Sequence, residues 1–289
     1  MQCIINRRAE FSASHRYWLP ECSELVNFQQ FGACARFPGH GHNYVLYVSM
    51  LGDLDCYGMV LNLSDVKQII KREITDQLDF AYLNDVWPEF QETLPTTENI
   101  ARQIWQRLAP HLPIVKIQLF EHPRLWAEYQ GEGMEATLSV GTHFSAAHRL
   151  ALPDLSFEEN CAIYGKCARP NGHGHNYHVE VTVKGQIHPR TGMIVDLVTL
   201  HKAVEEFVIE PLDHTFLNKD IPYFATVVPT AENIAVYIAQ LLKSPIQALG
   251  ATLERVKVIE SPNNSCEIDC RFLDADILES SQSEPALVG

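Results

Sequence analysis

The sequence repeats itself. Phe11-Ser12-Ala13-Ser14-His15-Arg16 returns as Phe144-Ser145-Ala146-Ala147-His148-Arg149, and Gly32-Ala33-Cys34 with His40-Gly41-His42-Asn43-Tyr44 returns as Gly165-Lys166-Cys167 with His173-Gly174-His175-Asn176-Tyr177. Both pairs stand 133 residues apart (144 − 11 and 165 − 32). The offset becomes 134 where Leu78-Asp79 matches Leu212-Asp213 and Thr96-Thr97-Glu98-Asn99-Ile100-Ala101 matches Thr230-Ala231-Glu232-Asn233-Ile234-Ala235. So long a period marks whole duplicated domains, since solenoid repeats run to about 20–50 residues. The 289 residues are therefore expected to form two like domains, 1–130 and 134–278, with Gly131 and Gly133 at the junction and a disordered tail over 279–289.

Each copy reads as ββααββ. A strand carries Phe-Ser-Ala-x-His and a loop follows it. A second strand begins at His-Gly-His and alternates, with Tyr177, Val179, Val181 and Val183 on one face and His178, Glu180, Thr182 and Lys184 on the other. After the turn at Thr191-Gly192 the spacing of Leu200, Val204, Phe207 and Val208 predicts a helix over about 199–210. A second helix starts at Thr230 as N-cap and runs through Ile234, Ile238, Leu241 and Leu242. A hairpin, 255–260 and 266–273, closes the copy. This order predicts an α+β domain, a four-stranded antiparallel sheet with two helices on one face.

With 36 acidic against 22 basic residues and a formal charge of −14, the chain lacks the clustered cations that a nucleic-acid or anionic-membrane surface needs. No apolar run approaches the ~20 residues of a membrane span, and no apolar stretch follows the charges near Met1, so the expected location is the cytoplasm. The eight cysteines include no CxxC pair and are expected to be unpaired.

The chemistry gathers around histidine. Residues i and i+2 of a strand share a face, so His173 and His175 are presented together and His148, on the neighbouring strand, completes three imidazoles. Three nitrogen ligands with one position left open is the pattern of catalytic zinc. His143 has Glu10 as its counterpart and is set aside, whereas His15, His40 and His42 keep the trio in the first copy. Cys167, six residues before His173 in polar surroundings, is a candidate base, because a nearby dication stabilises a thiolate. Asp213-His214 offers a carboxylate and an imidazole to orient and activate it. Glu260, at a strand end, suits a guanidine-like ligand edge. Glu232 fits both a helix's first turn and a ligand contact.

Phe144–His148, Gly165-Lys166-Cys167, His173–Tyr177, Thr191-Gly192-Met193, Leu212-Asp213-His214, Leu217-Asn218, Thr230–Ala235 and Glu260 together resemble the 6-pyruvoyl- and 6-carboxy-tetrahydropterin synthase family over almost all of 138–273. Residues 6–125 resemble it less completely. The resemblance implies the tunnelling fold, homo-oligomeric rings with sites between subunits, and 7,8-dihydroneopterin triphosphate as substrate. It further implies that His148, His173 and His175 hold Zn2+, that Cys167 moves a proton with Asp213 and His214, and that Glu260 anchors the pterin, helped by Thr230 and Glu232. One branch eliminates triphosphate to leave a 6-pyruvoyl group and the other cleaves the side chain to leave a 6-carboxy group; the 6-pyruvoyl branch is the expectation here, with a non-catalytic zinc or pterin scaffold as the third reading.

The first copy keeps His15, His40, His42, Cys34, Asp79, Glu98 and Glu121, but has Phe80 where the second has His214 and Ala33 where it has Lys166. Phenylalanine neither titrates nor hydrogen-bonds, so the first copy's own catalytic set is incomplete.

Overall fold

Alternation of inward and outward residues builds the long strands that carry the histidines. In the computed structural model, which describes residues 2–273, β1 (Gln2–His15) lies antiparallel to β2 (His40–Asp53), from Gln2 opposite Asp53 to His15 opposite His40. The two-residue β3 (Ala81–Tyr82) runs parallel against the end of β1. On the other side β4 (Ile114–His122) pairs with β2, and β5 (Leu125–Tyr129) with β4, both antiparallel. The second copy contributes β6 (Glu135–His148), β7 (His173–Gln186), the short β8 (Thr215–Phe216) parallel to β6, and the hairpin β9 (Thr252–Ser261) and β10 (Asn264–Asp269). The copies share one strand order, β1-β2-β4-β5 and β6-β7-β9-β10. The expected tail over 279–289 lies outside the described residues.

By mutual contact the chain falls into two compact units. The first takes the residues up to Val140 together with Val183–Leu200 and Leu249–Ala251; the second takes Gly141–Thr182, His201–Ala248 and the residues from Thr252. Val183–Leu200, though it belongs to the second copy's sequence, therefore packs within the first unit.

In each copy two helices cover the face onto which the apolar alternation points. Tyr44, Leu46, Val48 and Met50 of β2, and Tyr177, Val179, Val181 and Val183 of β7, are completely buried. The helix Thr97–Leu108 packs on β4 and β5, and the helix Ala231–Ala248 on β9 and β10. Thr230 caps the latter, its Oγ1 accepting from Asn233 N at 3.3 Å. The helix predicted from about Thr199 begins at Leu197, because Asp196 caps it, accepting from Thr199 N at 2.8 Å. It continues through a π-helical turn, Glu205–Ile209, as its first-copy counterpart Leu63–Ile70 does through Lys71–Thr75. Where a loop was expected after β6, the helix Phe157–Tyr164 stands on a capping box formed by Ser156 and Glu159. Among the described residues no helix is long and apolar enough to cross a membrane.

Candidate metal centres

β1 delivers His15 to a fully buried position, and β2 presents His40 and His42 beside it. His15 Nδ1 lies 3.0 Å from the carbonyl oxygen of Pro95, which fixes the proton there and leaves Nε2 as a lone pair. That Nε2 is 3.2 Å from His40 Nε2. The second copy repeats the arrangement. His148 Nδ1 is 2.7 Å from Pro229 O, and His148 Nε2 is 3.1 Å from His173 Nε2. The ligand atoms of each trio lie within 4.8 Å of one another.

The electrostatics suit a cation. Burial pushes His15 down to about 3 and His42 down to about 4, and it lowers His148 and His173 as well. These rings are therefore neutral near pH 7, the state that binds metal. His42 Nε2 and His175 Nε2 are buried without a hydrogen-bond partner, each a cost of about 1–3 kcal/mol unless something satisfies the lone pair. Tetrahedral zinc with nitrogen ligands at 2.0–2.1 Å separates neighbouring nitrogens by about 3.3 Å, close to the His15–His40 separation of 3.2 Å and the His148–His173 separation of 3.1 Å. The donor sets fit a zinc-sized ion.

A carboxylate joins each trio, and here the copies differ. Glu121 falls within the first ligand group; its Oε1 is 3.2 Å from His42 Nε2, and its Oε2 accepts from Thr97 Oγ1 at 2.6 Å. Glu260 stands further off, with Oε1 3.6 Å from both His148 Nε2 and His175 Nε2, outside the second group. Four protein ligands would close a zinc site and three leave a position open. Sequence reasoning placed Glu121 near the site but not among the ligands. It comes from the end of β4, and only its equivalence to Glu260 pointed to the spot.

Cys34 and Cys167 occupy matching 3-10 turns, Gly32–Ala35 and Gly165–Ala168, and both are half-buried. Burial and then the Glu121 carboxylate push the Cys34 thiol up to about 11. This is the opposite of an activated thiol, and a cation at the trio would counter it.

Asp213 and His214 are brought together, with Nδ1 and Oδ2 at 2.8 Å. Asp213 Oδ1 also accepts from Ser145 N at 2.7 Å, and these contacts hold the carboxyl below its usual range. His214 N donates to Ser145 O at 2.7 Å, and the residue sits at φ 57, a left-handed conformation costly for a side-chain-bearing residue. The imidazole is displayed to solvent, and among the described residues no hydrogen bond joins it to Cys167. The first copy builds the same turn. Ser12 N donates to Asp79 Oδ1, Phe80 N donates to Ser12 O, and Phe80 has φ 56. Phe80 is 91 % exposed and shares a cleft of about 330 Å³ with His42.

The helix-start residues differ most between the copies. Glu98 is only 3 % exposed, and burial pushes its carboxyl up to about 7. Above it, within the first unit, lies the Thr191-Gly192-Met193 segment of the second copy. Ile194 N donates to Glu98 Oε1 at 3.1 Å, Thr96 Oγ1 donates to Gly192 O, and Leu94 N donates to Arg190 O at 3.3 Å. Arg190 forms a forked pair with Glu21, both bonds at 2.7 Å. Met193 joins Tyr17, Phe31 and Leu94 in an apolar cluster flanked by Cys34. In the second copy Thr230 is half-buried and Glu232 exposed.

Comparison with known proteins adds to this geometry. The family model described as 6-pyruvoyl tetrahydropterin synthase matches residues 4–132 and again 137–270. The 6-pyruvoyl tetrahydrobiopterin synthase of Homo sapiens is 50 % identical over 134 residues, which cover 46 % of this chain and 91 % of the relative. The 6-carboxy-5,6,7,8-tetrahydropterin synthase of Haemophilus influenzae is 35 % identical over 114 residues, 32 % of this chain and 81 % of the relative. Among solved structures, 6-pyruvoyl tetrahydropterin synthase of Caenorhabditis elegans aligns with a TM-score of 0.45 and 39 % identity, over 47 % of this chain and 96 % of that one.

Proposed function

The chain belongs to the 6-pyruvoyl tetrahydropterin synthase family in two copies, and from that premise we propose that it is a zinc-dependent lyase converting 7,8-dihydroneopterin triphosphate to the 6-pyruvoyl product with loss of triphosphate. The observation that carries this reading is the second copy's trio, three imidazoles with an unpartnered Nε2 on His175 and no fourth ligand atom in the group. The 50 % identity to a protein named for the 6-pyruvoyl reaction, against 35 % to one named for the 6-carboxy reaction, favours the first branch.

Zinc at His148, His173 and His175 would supply Lewis-acid polarisation of the substrate's side-chain hydroxyls. The chain's own groups do the rest. Cys167 takes and returns the proton. Asp213 holds His214 through Nδ1 at 2.8 Å, so the other ring nitrogen points outward, free to exchange a proton with the thiol. Glu260, beside the trio, accepts two hydrogen bonds from the amino-pyrimidine edge of the pterin, and Thr230 and Glu232 line the approach. In the first copy His15, His40 and His42 would hold a metal, and Glu121 falls within the same ligand group. With Phe80 in the imidazole's place, that pocket binds without turning over by its own residues, and Cys34, Asp79 and Glu98 are what remains of its catalytic set.

Mass analysis of the products from purified protein and 7,8-dihydroneopterin triphosphate tests the assignment. Inorganic triphosphate together with a pterin bearing the three-carbon pyruvoyl group is expected. A 6-carboxy pterin would assign the chain to the other branch, and an unconsumed substrate would leave only the binding role.

A further inference from the structure

The outer face of the second copy's sheet carries two histidines that the trio does not use. Side chains alternate along β6, so Phe144, Ala146 and His148 are buried while His143 is exposed on the opposite face. On β7, Tyr177 and Val179 are buried, and His178 between them is exposed on that same outer side. The thickness of the sheet separates this pair from His148, His173 and His175.

The repeat supplies the register. In the first copy Glu10 stands opposite Val45 and Ser12 opposite Asn43. Adding the offset of 133 turns these into His143 opposite His178 and Ser145 opposite Asn176. The bond from Ser145 Oγ to Asn176 Oδ1, 2.8 Å, repeats the one from Ser12 Oγ to Asn43 Oδ1, 2.9 Å, so the pairing is the same in both copies. The two imidazole centroids lie 6.1 Å apart with their planes at 39°. Among the described residues neither ring takes a hydrogen bond or forms an ion pair.

We infer that His143 and His178 form a two-toothed surface site for a borderline divalent cation of the Ni2+ or Zn2+ kind, separate from both trios. With metal–nitrogen bonds of 2.0–2.1 Å an ion lies about 3.2 Å from each ring centre, so two rings on one ion have centres roughly 4.5 Å apart at right angles and roughly 6.4 Å apart when opposed. The rings of the second trio, at 4.5, 4.9 and 5.2 Å, fall at the near end of that range. His143 and His178 fall within it, and both side chains are exposed and able to turn inward. Imidazole suits nickel, copper and zinc among the first-row divalent ions, and water completes the shell.

The residues around the pair change together between the copies. Glu10, at the position of His143, is engaged by Arg8, whereas Gly141 stands at the position of Arg8 and offers no side chain to occupy the His143 ring. Val45 gives way to His178, and Tyr47 to Glu180. Glu180 adds negative charge to the same face, its Oε2 3.5 Å from Lys257 Nζ. The first copy therefore has no equivalent of this site.

Nickel uptake by the zinc-loaded full-length protein tests this, with both metals measured in one sample after equilibrium dialysis. Wild type is expected to hold about one more nickel per chain than His143→Gln or His178→Gln at the same free concentration, with equal zinc in all three. Loss of either ring is expected to weaken nickel binding by about 10²-fold, because the second imidazole meets an ion already held beside it. His111→Gln, which removes an exposed histidine elsewhere, is expected to leave uptake unchanged. Independently of any variant, the X-ray absorption fine structure of nickel on the wild-type protein is expected to show two imidazole ligands. Equal uptake by wild type and both pair variants would overturn the inference, as would loss in one variant alone or a nickel shell of oxygen only. None of these readings uses turnover, so they stand or fall apart from the proposed reaction.

Discussion

His214→Phe is expected to abolish turnover, by about 10²–10⁴-fold, while both metal centres stay loaded. The side chain is exposed and makes its structural contacts through the backbone, His214 N to Ser145 O at 2.7 Å, with only the Nδ1 bond to Asp213 lost on substitution. The first copy already demonstrates that phenylalanine fits: Phe80 occupies the same left-handed turn, at φ 56, with its N donating to Ser12 O. Folding is therefore preserved, and the loss isolates the imidazole's role in moving the proton. The measurements are kcat and zinc content of the same preparation. A rate within a few-fold of wild type would remove His214 from the proton path.

Cys167→Ala is expected to cost a similar factor with zinc retained, because the thiol is assigned as a base outside the ligand group. His173→Ala should lose both the second copy's metal and the activity, since two imidazoles hold zinc poorly. Cys34→Ala should remain near wild type. Its copy has Phe80 where the second has the His214 imidazole, a glutamate within the ligand group and a thiol pushed up to about 11. Metal analysis beside steady-state rates separates the outcomes. If Cys167→Ala releases zinc, the thiol is a ligand. If Cys34→Ala is inactive and Cys167→Ala is active, His214 serves the first copy's thiol instead.

How much of this could be read in advance depended on whether the determinant was local. Period-two alternation placed Tyr177 to Val183 correctly because a strand's burial follows directly from its pleat. His15 with His40, and His148 with His173, were legible for the same reason, sharpened by the repeat. The helix Phe157–Tyr164 was missed although its capping signal, Ser156 with Glu159, lies in the sequence. Glu121 joins the first ligand group by way of β4, which pairs with β2, and no local pattern reports that distance. The strongest departure is the loop carrying Gly192. It shares Gly-Met with the loop around Gly58, yet one is buried against Leu94 and the other open. A shared Gly-Met cannot reveal which of two equivalent surfaces the chain covers itself.

Zinc content measured on protein purified without added metal tests most directly whether this chain is a metal-centred lyase with two histidine trios. Zinc at about two per chain is expected from the two ligand groups, with turnover lost on chelation and recovered on adding zinc back. Protein that contains no zinc and turns over at an unchanged rate in the presence of chelator would contradict the account.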